Sequence, residues 1–258
     1  MPAALFLSPH LDDVAFSCGG LLAQLHDAGW HTAMVTAFTA TVTPVTGFAL
    51  ACQTDKGLGP EVDYMALRRE EDRAAAAILG VDDLRWLDMK EAPHRGYGSA
   101  PELFGPMRDD DDVWRPLAEH VAALIEEMRP DLVLAPQGLG DHVDHRQMIR
   151  AINHAGAGAL AFYRDTPYAI RNPYASPGVG MAGLADCAVG IASGLDRKVA
   201  ASAAYASQVG FQFGGPAGVG ASLRAFAVHE GHGLPAERFL AGDDAAALLR
   251  GSLEAAIL

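Results

Sequence analysis

AALFLSPHLDDVAFSCGGLLAQLHDAGWHTAMVTAF, residues 3–38, is the stretch that decides the fold class. Ala3 to Leu7 is a short apolar run that stops at Ser8-Pro9, as a strand buried on both faces does. Gly19 to Ala28 has helical spacing and halts at Gly29, a glycine suited to a helix C-terminus. His31 to Phe38 reads as a second strand, so the chain opens β-loop-α-β. The alternation continues outward. Met65 to Gly80 is a helix ending in glycine, Leu84 to Leu87 a strand, and Val113 to Met128 a helix. Asp131 to Ala135 is a strand closed by Pro136, His145 to Ala155 a helix, and Ala159 to Tyr163 a strand. Cys187 to Ile191 adds a strand and Leu195 to Ser207 a helix. This order predicts an α/β fold, a Rossmann-like three-layer α/β/α arrangement with a mainly parallel sheet. Residues 40–60 and 88–112 show no periodicity and read as long substrate loops. No linker separates two cores, so residues 1–258 are expected to form one domain, with those after about 165 as a candidate C-terminal subdomain.

The composition sets bounds on function. The 258 residues hold 19 Lys+Arg against 32 Asp+Glu, a net charge of −13, and half of them are hydrophobic. Such a chain can bury an ample core. Its acid excess argues against nucleic acid or an anionic membrane as partner. Cys18, Cys52 and Cys187 form no close pair, and MPAALFL lacks the features of a secretory signal, so a reducing cytoplasm is expected. A homo-oligomer is compatible with the sequence but not required by it.

Two polar clusters fall at strand ends. Ala3–Leu7 runs into Ser8-Pro9-His10-Leu11-Asp12-Asp13, and Asp131–Ala135 runs through PQGLG into Asp141-His142-Val143-Asp144-His145. Parallel strands bring both clusters to one edge of the sheet, where open α/β sheets bind ligands. His10 and Asp13 can turn a ring nitrogen and a carboxylate toward one point. A histidine of the second cluster would complete a two-His, one-carboxylate metal site of the kind catalytic zinc uses. Its net charge of about +1 would keep the metal electrophilic toward water. Neighbouring Asp12 and Asp13 need not point the same way, so one can bind metal while the other acts as base. Taken singly, each cluster has a plain reading, Asp12-Asp13 as a helix cap and HVDH as a solvated loop. Their convergence argues for a site.

SPHLDD followed by HVDH resembles the first two motifs of the PIG-L/LmbE-like family of metal-dependent N-deacetylases. Further resemblances keep the family's order: Arg68-x-x-Glu71 before AAAAILG, Tyr163-Arg-Asp-Thr-Pro-Tyr168, and KVAASAAYASQ at 198–208. The resemblance implies His10, Asp13 and His145 as zinc ligands and Asp12 as general base. It implies His142 as oxyanion stabiliser or general acid, with Asp144 tuning it. Zinc is the implied cofactor, and ferrous iron suits the same ligands. The implied reaction removes an N-acetyl group from an N-acetylglucosamine-type sugar or glycoconjugate. An amidase on a sugar-linked thiol conjugate and a natural-product tailoring deacetylase are variants of the same reading. Leu11 and Val14 depart from the family pattern. So does Leu139-Gly140-Asp141, where some members carry a tyrosine, a role left to Tyr163 or Tyr168.

Arg68, His94, Arg95, Tyr163 and Tyr168 are the expected contacts to a small amino-sugar substrate, Arg68 having pairing with Glu71 as its alternative. His229-Glu230-Gly231-His232 reads as a surface or rim loop, GGPAGVG at 214–220 as a flexible loop, and Asp109 to Asp112 as a solvated turn. A non-catalytic nucleotide- or sugar-binding module is the reading from another class. It would need a Gly-rich loop after the first strand, where His-Leu-Asp-Asp stands instead.

Overall fold

The computed structural model describes residues 1–178 and 180–254. In chain order it holds β1 (Ala3–Ser8), α1 (Asp13–Asp27), β2 (His31–Thr36), α2 (Gly47–Thr54), α3 (Tyr64–Leu79) and β3 (Asp83–Trp86). A single 3₁₀ turn (Ala92–His94), α4 (Ala100–Leu103), α5 (Trp114–Met128), β4 (Leu132–Pro136), α6 (Val143–Ala155), β5 (Leu160–Tyr163) and α7 (Tyr168–Arg171) follow. The remainder is β6 (Ala185–Gly190), α8 (Leu195–Ala204), α9 (Ala206–Phe213), α10 (Pro216–Glu230), β7 (Ala236–Ala241) and α11 (Asp243–Glu254).

The strands form one sheet in the order β3-β2-β1-β4-β5-β7-β6. Strands β1 to β5 are mutually parallel, while β7 runs antiparallel to both its neighbours, β5 and β6. After β1 the chain builds outward to β3, then crosses back to lay β4 on the other side of β1. The crevice between the carboxyl ends of β1 and β4 is therefore the switch point of the sheet.

The unbroken apolar run of β1 follows from burial on both faces. Ala4 and Phe6 pack with α1, α3 and α11 residues such as Leu22, Leu79 and Leu249. Leu5 and Leu7 pack with Leu117 and Val121 of α5 and Ile149 and Ile152 of α6. Each such Leu or Phe contributes about 2 kcal/mol by leaving water.

Helix α1 begins at Asp13, six residues before the start expected from periodicity, and is kinked at Cys18 (φ −132°, ψ 22°). At the kink the Glu237 carboxylate of β7 accepts the Gly20 and Leu21 amides, both at 2.9 Å. Lys198 donates to Glu237 (2.7 Å) and to the Ser17 carbonyl (2.9 Å), which closes the clamp. A side chain at Gly20 would meet Ile191 at 2.7 Å and Glu237 at 2.9 Å, so only glycine lets the carboxylate reach the amides.

The expected loop 40–60 contains α2. The stretch read as the flexible loop GGPAGVG opens α10, with Pro216 in the first turn, where its missing N–H costs nothing. His229 and Glu230 close that helix instead of lying in a loop, and buried Glu230 accepts two bonds from Arg164 (2.9 and 3.1 Å). The expected helix 195–207 breaks at Tyr205, whose buried hydroxyl donates to Asp72 at 2.5 Å. Asp111 is not solvated. It is buried and binds Arg95 (3.0 and 2.9 Å) and the Tyr97 hydroxyl (3.0 Å). Among the described residues no helix is long and apolar enough to cross a membrane.

Candidate active site

The turn after β1 places the first cluster. Ser8 donates through its hydroxyl to the His10 carbonyl (2.6 Å), and Asp12 takes a left-handed φ of 144° before the chain enters α1. An aspartate in that conformation is strained. Although it occupies the cap position, its carboxylate makes no capping bond to α1. It is held instead by Arg68, which donates to the Leu11 carbonyl (2.7 Å) and to Glu91 (3.0 Å) and lies 3.4 Å from Asp12. The alternative reading of Arg68, a pair with Glu71, does not form, since Glu71 accepts from the amide and hydroxyl of Ser207, both at 2.7 Å.

Asp13 Oδ2 stands 3.3 Å from His10 Nδ1 and 3.3 Å from His145 Nε2. These are ion-pair contacts without hydrogen-bond alignment, and among the described residues the buried His145 Nε2 has no hydrogen-bond partner. Zinc bonds of roughly 2.0–2.1 Å in a tetrahedron set their donors about 3.3–3.4 Å apart, so each of the two Asp13 contacts has the length expected between two donors to one ion. The far nitrogen of each ring meets a second buried carboxylate: His10 Nε2 lies 3.0 Å from Asp144, and His145 Nδ1 lies 2.5 Å from Asp165. A metal-binding histidine is typically backed in this way.

The ring nitrogens of His10, His142 and His145 also come within 4.8 Å of one another, which offers a three-histidine set as the alternative. Among the described residues, however, His142 has no carboxylate hydrogen-bonded behind it. It caps α6, its Nδ1 accepting the Asp144 amide (3.2 Å). A nitrogen that accepts an amide proton carries none itself, so the His142 proton sits on Nε2. Backing and spacing together favour His10, Asp13 and His145.

The electrostatics point the same way. Burial pushes the His10 and His145 rings down, but the carboxylates beside them more than reverse it. His10 rises to about 9 through Asp13 and Asp144, and His145 rises well above its usual value through Asp13 and Asp165. The cluster favours positive charge. His142 falls to about 3, by burial and by the neighbouring His10 charge. Burial lifts Asp12 to about 7, against the opposing pull of Arg68.

His10, Asp12, Asp13, His142 and Asp144 open on a cleft of about 240 Å³ that Arg68, Tyr168, Phe48, Phe104 and Phe211 help to line, while His145 lies fully buried behind it. His94 lines an adjoining cavity of about 250 Å³ that shares Cys52, Tyr64, Glu91 and Pro93 with the cleft. Two expected substrate contacts are not there. Tyr163 is fully buried and donates to the Leu7 carbonyl (2.9 Å), so its hydroxyl serves the sheet. Arg95 ties Asp144 (2.7 Å) to Asp111, which makes it a strut behind His10. Asp144, expected to tune His142, sends its side chain to His10, Arg95 and the Ala92 amide (3.1 Å) instead.

The reading from motifs left three residues without a role. Asp165 sits inside the quoted 163–168 stretch, and a buried aspartate there is its only signal. Glu91 and Phe104 lie in loop 88–112, where no periodicity marks them. The Phe104 ring meets His142 at 5.3 Å and Tyr168 at 5.9 Å, edge-on in both cases.

A family model described as PIG-L, GlcNAc-PI de-N-acetylase, matches residues 5–156. A 2'-N-acetylparomamine deacetylase of Streptomyces fradiae is 36% identical over 168 residues, 64% of this chain and 57% of that protein. A 2'-N-acetylparomamine deacetylase of Niallia circulans is 28% identical over 189 residues, 64% of this chain and 67% of that protein. The chain thus spans little more than half the length of the first of these relatives. Among solved structures, a zinc-inhibited form of teicoplanin deacetylase Orf2 superposes with a TM-score of 0.79 at 25% identity, covering 94% of this chain and 99% of that one. The A40926 pseudoaglycone deacetylase Dbv21 gives 0.77 at 26%, covering 92% and 96%.

Proposed function

This chain belongs to the PIG-L family of GlcNAc-PI de-N-acetylases, and from that premise we propose that it is a metal-dependent N-deacetylase. Its proposed substrate is an N-acetylated amino sugar of the N-acetylglucosamine type, borne on a natural-product scaffold in the cytoplasm. The observation that carries the reading is the pair of 3.3 Å contacts from Asp13 Oδ2 to His10 Nδ1 and His145 Nε2, with Asp12 on the same cleft. The relatives named as deacetylases of 2'-N-acetylparomamine, teicoplanin and the A40926 pseudoaglycone support the scaffold.

His10, Asp13 and His145 would hold a divalent metal, zinc by donor type. When bound, it supplies Lewis acidity toward an amide carbonyl and toward water. Asp12 takes the proton of the attacking water, a role suited to a carboxylate that burial has made more basic. His142, neutral and protonated on Nε2, donates a hydrogen bond to the oxygen that gains charge in the transition state. A neutral ring has no proton to spare for the leaving group. Asp12, having gained one from water, returns it to the departing nitrogen, so that amide and water become acetate and amine.

Acetate release from a panel of N-acetylated amino sugars and their conjugates, with and without chelator, tests the reading. Release that stops on chelation and returns with zinc is the expected result. Release untouched by chelator, or none from any member of the panel, would sink it.

Asp165→Asn is expected to weaken metal binding about tenfold to a hundredfold, because His145 loses the negative charge of the acceptor that orients its ring and makes it more basic. Competition against a metal-binding dye reads this directly. An unchanged affinity would remove Asp165 from the site.

A further inference from the structure

Two charged groups lie in the core, away from the cleft and without a part in the reaction. Lys198 of α8 is 2% exposed and Glu237 of β7 is 4% exposed, and they meet at 2.7 Å. A buried ion pair seldom adds stability over an apolar pair of the same volume, so its reason must lie elsewhere. Among the described residues, every other side-chain hydrogen bond of this pair goes to the kink of α1.

In an unbroken helix the Gly20 and Leu21 amides would donate to the Phe16 and Ser17 carbonyls. Here they donate to the two oxygens of Glu237, and Lys198 donates to the Ser17 carbonyl. The pair thus stands in for helical bonds across a break centred on Cys18. The start of α8 presses on the same point, since a Cβ at Gly194 would overlap the Gly20 carbonyl oxygen. What the break sets is the direction of residues 13–17. Asp13 opens this piece. Ser17 closes it, its hydroxyl accepting the Thr166 amide at 3.0 Å, next to the Asp165 that backs His145. From Cys18 to Asp13 is about 7.5 Å of helix, so turning the piece by about 10° would carry Asp13 roughly 1 Å from its place. Metal-ligand distances tolerate only about 0.2 Å.

We propose that the Lys198–Glu237 pair is a positioning device for Asp13. The proposal rests on the reading of Asp13 as a metal ligand. Neither residue of the pair touches substrate or metal. Helix continuity is given up so that the carboxylate arrives between the His10 and His145 rings.

Zinc affinity by competition against a metal-binding dye, with the melting temperature of the metal-free chain, tests this in the double variant Lys198→Met, Glu237→Leu. Both charges leave together, and the Gly20 and Leu21 amides are free to rejoin the helix. The melting temperature is expected at or above that of the wild type. Zinc affinity is expected to fall at least about tenfold, as when a partner behind a ligand is lost. A pair that only holds the fold would do the reverse, lowering the melting temperature and leaving affinity alone. Glu237→Gln is the second variant, which keeps the shape of the side chain and removes one of its two acceptor oxygens. Assayed where circular dichroism shows it folded, it should also lose about tenfold in affinity, and it carries the test if the double variant does not fold. An affinity within about twofold of wild type in either folded variant would overturn the proposal and leave the metal site standing. A wild type that takes up no zinc would overturn both.

Discussion

Asp12→Asn is expected to lower kcat by roughly 10²–10⁴-fold while metal content stays at the wild-type level. The asparagine keeps the shape that Arg68 holds, and Asp12 itself makes neither of the two 3.3 Å contacts around which the metal would sit. The loss therefore measures the base and not the fold. A pH profile sharpens the test. Activity requires Asp12 ionised, so kcat/KM must fall as pH drops through its pKa. Burial sets that value near 7 in the metal-free chain, and a divalent cation beside it lowers it again, which puts the acid limb below 7. The variant should retain only a small, flatter residual rate. A variant keeping more than a tenth of the wild-type rate would assign the base elsewhere.

Asp13→Ala should release the metal outright. Its Oδ2 is the atom that both rings approach, and it also accepts the His10 amide at 2.8 Å. Losing it removes a ligand and the anion that holds the two rings together. The affinity should fall by more than about a hundredfold, since even partners behind a ligand cost tenfold to a hundredfold. Metal per chain after dialysis, with circular dichroism as a check on folding, decides the matter. Full occupancy in Asp13→Ala, set against loss in His142→Ala, would hand the third position to His142 and favour the three-histidine set.

Much of this site was legible before the structure because its parts sit at strand ends. Burial on both faces wrote β1 and β4 as plain apolar runs, and the polar residues following them had to share one crevice. Strand direction did the rest. The pairing of carboxylates with rings was hidden for the opposite reason. Asp144 stood in the second cluster, but its partner His10 lies 134 residues away, and Asp165 reaches His145 from the loop after β5, with no spacing that periodicity can register. Tyr163 misled because a tyrosine in a motif reads alike whether its hydroxyl serves a substrate or a backbone carbonyl.

The fold was read less well toward the C-terminus. AERFLA of β7 sets a glutamate and an arginine side by side after its first residue, so its apolar run is too short to mark an inner strand. That glutamate is Glu237, whose burial makes sense only against the kink of α1. The kink also explains the late start expected for α1, because regular helical spacing begins after Cys18. The turn before it, carrying Asp13, follows the needs of the cleft.

A nascent chain cannot finish this cleft early. The segment through α6 leaves the ribosome first, bringing His10, Asp12, Asp13, His142 and His145 within reach of one another. Asp165 comes with the loop after β5. Glu237 comes only with β7, which must slot between β5 and β6, two strands already made. Until then the Gly20 and Leu21 amides and the Lys198 ammonium lack their carboxylate, and the turn that presents Asp13 is unpinned. An excised fragment limited to residues 5–156 would keep every ring nitrogen of the cluster, yet hold neither the acid that steadies His145 nor the one that braces the helix.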